Sequence, residues 1–169
     1  MQFVELASKR YGVRSYKAEP VEDDKLQLVL QAARLAPMAA NRQAFRLIVI
    51  LTKDRESELL RIYNRSWFVQ APVVICICAI PNEAWVRLDD KNYSDVGAAI
   101  VMDHLVLAAT DLGLDTGWIG AFEPVAAREV LGIPEQADPI AFTPLGYPAD
   151  QLLARKRKNL DDLVRYNHR

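Results

Sequence analysis

Two short, nearly continuous apolar runs constrain the fold of this chain more than any other feature. Residues 45–51 read Phe-Arg-Leu-Ile-Val-Ile-Leu, and residues 73–80 read Val-Val-Ile-Cys-Ile-Cys-Ala-Ile. Such runs are typical of strands covered on both faces, whereas a strand with one wet face alternates apolar and polar residues. The longest apolar stretch, residues 71–81, is far too short to cross a bilayer. We therefore predict a buried sheet and no membrane partner.

Segments with helical periodicity separate the predicted strands. The longest helix is predicted over residues 95–112, where small residues allow close approach of neighbouring elements. Shorter helices are predicted over residues 1–9, 19–35, 55–64 and 124–131, a last core strand over residues 139–148, a strand or loop over residues 117–122, and a surface excursion over residues 81–93. With no repeat or linker, residues 1–169 predict a single three-layer α/β or α+β domain.

The composition argues against several classes of function. The 169 residues include 21 Lys and Arg against 22 Asp and Glu, so the formal charge of −1 provides no general attraction to nucleic acid. The chain opens without a secretory signal. Cys76 and Cys78 fall on one face of a predicted strand, as buried small hydrophobic residues do, rather than as a disulfide or metal site. We predict a cytoplasmic protein that does not bind nucleic acid.

Residues 10–16, which we call the arginine segment, are the strongest candidate for binding a ligand. Arg10 and Arg14 lie four residues apart with Gly12 between them. Guanidinium groups match the oxygen atoms of a phosphate, and a glycine lets the backbone approach closely. Two solvated surface charges are the alternative interpretation. A phosphate monoester is the ligand that this pattern favours.

Side chains that could perform chemistry alone are not found in a recognisable pattern. No dinucleotide-binding, P-loop or nucleophile-elbow motif occurs. His104 and His168 are the only histidines, too few for a metal site when the cysteines are buried, and His104 is interpreted as structural. No catalytic side chain and no metal are predicted. The chemistry therefore comes from a bound cofactor, or the protein performs none.

Several short motifs, taken in order, resemble those of the FMN-dependent nitroreductase superfamily. The arginine segment is similar to its R-x-S-x-R-x-F/Y signature, and residues 36–45 (Ala-Pro-Met-Ala-Ala-Asn-Arg-Gln-Ala-Phe) are similar to A-P-S-x-x-N-x-Q-P-W. Shorter similarities follow at residues 20–21, 71–72, 95, 113–114, 118–120, 145–148 and 157–158. The resemblance covers nearly the whole chain. It implies an α+β fold, a three-layer α/β/α sandwich whose mostly antiparallel central sheet is flanked by helices.

The resemblance also implies a cofactor site shared by two chains of a homodimer. The implied FMN-binding residues are Arg10, Tyr11, Gly12 and Arg14 at the phosphate and ribityl end; Pro37, Met38, Ala39 and Asn41 of the partner's loop; Gly117, Trp118, Ile119 and Gly120 along the ring edge; and Arg157 with Arg155 near the C-terminus. The alternative interpretations are that Trp118 and Ile119 are core residues and that Arg155 is only a surface charge. Gln43 is predicted to order its loop rather than to touch the ligand.

Three positions depart from the family's pattern. Gly12 and Met38 stand where the family usually has serine, and Ala44 stands where it has proline. Gly12 removes a hydroxyl donor to the phosphate, and Met38 turns a polar contact near the flavin into a thioether. We predict weaker FMN binding than is usual in the family, or a less polar pocket.

The function implied by the resemblance is FMN-dependent oxidation of NAD(P)H coupled to reduction of a small electron acceptor. The acceptor would be an electron-poor compound such as a nitroaromatic or a quinone, reduced by ping-pong hydride transfer. Trp67, Phe68, Trp85 and Tyr93 are the predicted substrate-binding residues, with burial in the core as the alternative for Trp67 and Phe68. The alternative functions are a specialised flavin protein resembling reductive dehalogenases, or a dimer that binds FMN or another phosphorylated ligand without catalysis.

Overall fold

An antiparallel sheet forms the centre of the protein in the computed structural model, which describes residues 2–151 and 156–167. The strands of the described chain are β1 (Phe45–Leu51), β2 (Val73–Ala79), β3 (Asp115–Thr116) and β4 (Asp138–Gly146), in the spatial order β1-β2-β4-β3. Each neighbouring pair is antiparallel. The α+β fold with a mostly antiparallel sheet is thereby confirmed.

Helices cover both faces of this sheet. They are α1 (Phe3–Lys9), α2 (Asp23–Arg34), α3 (Glu56–Ile62), α4 (Ser66–Gln70), α5 (Ser94–Asp111), α6 (Pro124–Leu131) and α7 (Leu160–Leu163). Acidic residues occupy the first turn of α2, where they complement the helix dipole. Gly132 ends α6 at a φ of 62°, a conformation that other residues adopt at a cost. None of the helices within the described ranges is long and apolar enough to traverse a bilayer.

Strand β2 divides the core into two halves. Ile75 and Ile77 face a cluster that contains residues of α2 and α5. On the other face, Val74 and Cys76 pack with residues of α3, α4 and α6. This alternation of buried side chains on both faces explains the continuous apolar run and produces the three-layer architecture.

The prediction that β1 is covered on both faces is confirmed for part of the strand, because Phe45 and Leu47 pack against one core cluster and Ile50 belongs to the other. Among the described residues β1 has a neighbour on one side only, which makes it an edge strand. Val49 is 37% exposed and Leu51 is 66% exposed. The end of this apolar edge strand is therefore left partly uncovered by its own chain.

The cysteines and His104 have the structural roles predicted for them. Cys76 and Cys78 are free and buried, with their sulfur atoms 3.8 Å apart. The hydrogen bond to Cys78 and burial raise the pKa of the Cys76 thiol, which therefore stays protonated. The Nδ1 atom of His104 lies 3.1 Å from the carbonyl oxygen of Ile100, one helical turn earlier.

Candidate functional site

The arginine segment runs beside β3, the edge strand opposite β1. Gly12 forms a parallel bridge with Thr116 of β3, and the backbone N–H of Val13 donates to the Thr116 carbonyl at 3.0 Å. Tyr16 forms an antiparallel bridge with Pro148, just beyond β4. The backbone of the segment is therefore fixed at both ends, and its charged side chains are presented from a rigid support.

Arg14 lies in a socket made by two glycines and a tryptophan. Its guanidinium carbon is 4.5 Å from the centre of the Trp67 ring, and Nη1 donates to the carbonyl of Val13 at 2.8 Å. A Cβ atom added to Gly12 would lie 3.2 Å from Nη1, and one added to Gly117 would lie 2.9 Å from it. Glycine at both positions leaves the room that the guanidinium occupies. The structure thus brings Gly12 and Arg14, predicted at the phosphate end of the site, together with Gly117, which was predicted along the ring edge.

Asp150 holds the arginine segment from the C-terminal side, and no sequence motif includes it. Its carboxylate accepts the backbone N–H of Arg14 at 2.8 Å and the hydroxyl of Tyr11 at 3.0 Å. These bonds orient the segment without pairing with the guanidinium of Arg14. Nearby, burial raises the pKa of Tyr16, whose hydroxyl stays neutral. The only sequence clue to Asp150 is its position just after the residues 145–148 motif.

Residues 37–43, which we call the asparagine loop, contain three residues in the left-handed region. The φ angles are 49° for Ala40, 50° for Asn41 and 50° for Gln43. This conformation is tolerated by asparagine but costs about 1–2 kcal/mol for other residues with a side chain. Such strain is concentrated at functional sites. The amide of Gln43 donates to the Asn41 carbonyl at 3.4 Å, in agreement with its predicted role in ordering the loop.

A cavity of about 170 Å³ lies beside the asparagine loop. Its lining comprises Met38, Ala39, Arg42, Ala44, Ala84, Trp85, Tyr93, Ser94, Val96, Gly97 and Ile100. Two predicted substrate residues, Trp85 and Tyr93, are in contact there, with ring centres 5.0 Å apart in an edge-to-face arrangement. They belong to a short hairpin whose arms are joined by a bridge between Val86 and Asn92. The predicted surface excursion is therefore an ordered wall of this cavity.

The other two predicted substrate residues lie elsewhere. Phe68 is fully buried on α4 and stacks edge-to-face with Tyr63 and Phe142, so its prediction as a substrate-binding residue is wrong. Trp67 is partly exposed, but it faces Arg14 rather than the cavity beside Trp85. Phe68 thus belongs to a core cluster, whereas Trp67 contacts the arginine segment.

The segment from Gly117 to Gly120 is only partly open. Trp118 is 43% exposed, and a Cβ added to Gly120 would meet no atom within 4 Å. Ile119 is 3% exposed, and its backbone N–H donates to the Phe142 carbonyl at 2.9 Å. The side chain of Ile119 is therefore buried in the core and its backbone N–H is already hydrogen-bonded. This agrees with the alternative interpretation of Ile119 as a core residue.

The two predicted halves of the cofactor site lie at opposite ends of α5. A Cβ on Gly97, in the first turn, would be 3.5 Å from Met38 Cε. Near the other end, the hydroxyl of Thr110 donates to Asp115, which precedes the bridge to the arginine segment. Thirteen residues of α5 separate Gly97 from Thr110, about 20 Å at the α-helical rise. One chain thus does not bring the asparagine loop to the arginine segment.

Of the two predicted cofactor-binding arginines near the C-terminus, Arg157 falls within the described residues. Arg157 is exposed in the segment before α7. Arg155 lies outside the described residues. Helices α1 and α7 bury none of their residues, and Leu160 and Leu163 of α7 are 69% and 64% exposed. Apolar surface is therefore exposed at both ends of the described chain.

Comparison with known proteins identifies the family. The sequence profile described as "Nitroreductase family" matches residues 7–67 and 59–147. This chain belongs to the nitroreductase family. The FMN reductase [NAD(P)H] of Bacillus subtilis (strain 168) is 30% identical over 163 residues, covering 86% of this chain and 66% of that protein. The resemblance inferred from the ordered motifs is thereby confirmed.

Solved structures of nitroreductase family proteins share the architecture. The one from Clostridium difficile 630 superimposes with a TM-score of 0.90 at 38% identity and covers 98% of each chain. The one from Clostridium novyi NT gives a TM-score of 0.81 at 30% identity, covering 88% of this chain and 87% of that one. The arrangement of the arginine segment, asparagine loop and sheet described above is thus found on a nitroreductase fold.

Proposed function

We propose that this nitroreductase-family chain is an FMN-dependent oxidoreductase that uses NAD(P)H to reduce an electron-poor small molecule, such as a nitroaromatic or a quinone. The observation that carries the proposal is the socket that fixes the Arg14 guanidinium beside Gly12 and Gly117. The name of the B. subtilis relative supports both the cofactor and the reductant. We also propose that residues 1–169 form one FMN-binding domain; its cytoplasmic location stays a prediction.

The donor groups of the arginine segment fit a phosphate. Within residues 2–151 and 156–167, neither Arg10 nor Arg14 forms a salt bridge with a carboxylate. Asp150 is bound to backbone and tyrosine donors instead, so its carboxylate does not pair with the guanidinium of Arg14. Two guanidinium groups can bind a phosphate dianion with charge-assisted hydrogen bonds. Arg157 is a third candidate, free to approach because it is exposed.

The proposed site is completed by a second copy of the chain. About 20 Å of α5 separates the two halves within one protomer. A partner whose asparagine loop covers the arginine segment would restore Pro37, Met38, Ala39 and Asn41 to the site. The exposed β1 edge and the bare helices α1 and α7 provide apolar surface for such a homodimer.

When bound, FMN supplies the hydride-transfer chemistry, from NAD(P)H to the acceptor in alternate steps. The chain positions and shields the reactants. Arg10 and Arg14 hold the phosphate, Trp118 offers an exposed aromatic surface beside the ring edge, and the strained asparagine loop excludes water from the partner's side. No side chain is required as nucleophile, and solvent supplies protons. Gly117 and Gly120 let the backbone approach closely.

Flavin titration tests this proposal directly. Purified protein supplied with FMN should bind one flavin per chain, and the bound flavin should bleach anaerobically on addition of NADH or NADPH. Failure to bind at saturating FMN would exclude the enzyme proposal, while binding without reduction would favour the non-catalytic dimer. Arg10→Ala combined with Arg157→Ala should weaken FMN binding, and unchanged affinity would show that the phosphate lies elsewhere.

A further inference from the structure

We propose that Arg42 makes the cavity beside the asparagine loop selective for acceptors that have a single ring and carry an anionic group. This inference rests on the proposed function, because it names the class of acceptor for that site. It assigns a specificity-determining role to a residue that none of the sequence motifs singled out. Its support comes from the size of the cavity, the chemistry of its walls and the charge of Arg42.

The size of the cavity limits the molecule that can enter. Its volume is about 170 Å³. A cavity of roughly 150 Å³ lined by apolar side chains holds one benzene molecule. One six-membered ring with a small substituent therefore fits.

The walls of the cavity favour a flat apolar ring. Trp85 and Tyr93 meet edge-to-face, and Met38, Ala44 and Ile100 add aliphatic and thioether surface. Met38 and Ala44 are two of the three departures from the family's sequence pattern, and both lie in this one lining. Their replacement of serine and proline makes this lining less polar than the family's motif implies.

Arg42 is the single cation of this lining, and no carboxylate side chain accompanies it among the described residues. Arg42 is exposed and forms no salt bridge with any residue that the structure describes. By contrast, Arg87 on the adjacent hairpin is paired with Asp89, and its Nη1 donates to the Tyr93 hydroxyl at 3.1 Å. The uncompensated charge at the rim of the cavity is therefore that of Arg42.

A guanidinium at the edge of an apolar cavity discriminates between ligands of equal shape. A carboxylate on the ring gains a charge-assisted hydrogen bond, while a neutral ring of the same size gains only the apolar contact. Charged hydrogen bonds change binding constants by about tenfold or more. Because the guanidinium acts on binding rather than on the transferred hydride, its effect should be on KM and not on kcat.

The test compares Arg42→Gln with a matched control, Arg46→Gln. Arg46 lies four residues further along, is paired with Glu83 and does not line the cavity. Binding of benzoate and of benzyl alcohol to the FMN-loaded protein is measured by isothermal titration calorimetry. The ratio of the two affinities should fall about tenfold in Arg42→Gln and stay unchanged in Arg46→Gln. Binding of 1-naphthoate should be weaker than that of benzoate in all three proteins.

The kinetic arm uses 4-nitrobenzoate and nitrobenzene as acceptors. Arg42→Gln should raise KM for the charged acceptor by about tenfold without changing kcat, and leave the neutral acceptor unaffected. The anionic group could instead belong to the nucleotide, so NADPH and NADH are compared in the same variants. A change in the NADPH-to-NADH ratio alone would overturn the inference, as would equal effects of both substitutions or an unchanged benzoate-to-benzyl alcohol ratio.

Failure of the proposed function would be recognised separately. It would be seen as absent FMN binding or absent flavin bleaching before any acceptor is added. In that case the same benzoate and benzyl alcohol titrations are made on the flavin-free protein, where they still report on the cavity. Normal flavin reduction with an unchanged affinity ratio in Arg42→Gln would refute the role of Arg42 alone.

Discussion

Replacement of Gly12 by alanine should weaken FMN binding while leaving the fold nearly as stable as before. The added Cβ would lie 3.2 Å from Arg14 Nη1, 3.6 Å from Nη2 and 3.7 Å from Cζ. All three atoms belong to the end of a flexible, exposed side chain. Gly12 does not have a left-handed φ, so alanine adds no backbone strain. The substitution therefore acts by moving the guanidinium.

The size of the effect follows from the contacts of Arg14. Leaving the Trp67 face costs about 0.5–1 kcal/mol at an exposed site. Water replaces the lost hydrogen bond to Val13, so the change in unfolding free energy should stay below about 1 kcal/mol. A displaced guanidinium loses its charged hydrogen bond to the phosphate, worth about 1.5–3 kcal/mol, which is about a 10- to 150-fold weaker affinity for FMN.

Fluorescence titration of FMN and chemical denaturation measure the two effects. Gly117→Ala provides the contrast, because its Cβ would lie 2.9 Å from Arg14 Nη1 and also 3.2 Å from the backbone oxygen of Val13. That variant should lose about 1–3 kcal/mol of stability, since the backbone cannot withdraw. In an Arg14→Ala background, Gly12→Ala should no longer affect FMN affinity. An equal loss with and without Arg14 would refute the socket as the cause.

Four further substitutions test the core, the loop and a surface carboxylate. Phe68→Ala should lower the free energy of unfolding by about 3–5 kcal/mol in chemical denaturation, because the ring is fully buried. A loss below about 1 kcal/mol would contradict the burial of this ring. Ala40→Gly should be close to neutral and Ala40→Val destabilising by about 1–2 kcal/mol, since only glycine accepts its φ of 49° freely. Hydrogen bonds from its own backbone N–H and from Tyr147 lower the pKa of Glu22, so its contribution to stability is present above the unfolded pKa and is lost as the pH falls through the folded value. A ¹³C NMR titration should show this low pKa, and Tyr147→Phe should raise it.

Periodic patterns predicted most of the fold. The prediction of α5 depended on a long helical period, and the prediction of β2 depended on an apolar run that both faces of the sheet require. The run of β1 predicts a degree of cover that one chain provides only in part. An apolar strand indicates that the strand is covered in the assembled protein, but it does not say by which chain. Leu51, which is 66% exposed, shows that one chain does not cover the end of β1.

The candidate site was harder to predict because it depends on contacts between distant residues. Asp150 holds Arg14 across 136 positions of sequence, and no local pattern encodes such a contact. Trp67 and Phe68 are neighbours on a five-residue helix, where a rotation of about 100° per residue decides which ring enters the core. The motif order located the arginine segment and the asparagine loop, but only the structure showed that α5 holds them apart.

Because the two half-sites are separated within one chain, a mixed dimer is the decisive test of whether each FMN site is formed by two chains. Arg14→Ala damages the arginine segment, and Asn41→Gly removes an amide from the asparagine loop while accepting its φ of 50°. Each homodimer should bind FMN weakly. A dimer of one Arg14→Ala chain and one Asn41→Gly chain, purified with two different tags, contains one intact pair of halves if each site is shared.

Two mixed dimers distinguish a site shared between two chains from a site formed within one chain. With shared sites, the Arg14→Ala/Asn41→Gly dimer should bind one FMN at wild-type affinity. A dimer of one doubly substituted chain and one wild-type chain should then have no intact site, because each site receives one damaged half. If each site lay within a single chain, the second dimer would bind one FMN normally and the first would bind none tightly. The stoichiometry of tight flavin binding therefore distinguishes a site shared between two chains from a site within one chain, whatever acceptor the enzyme uses.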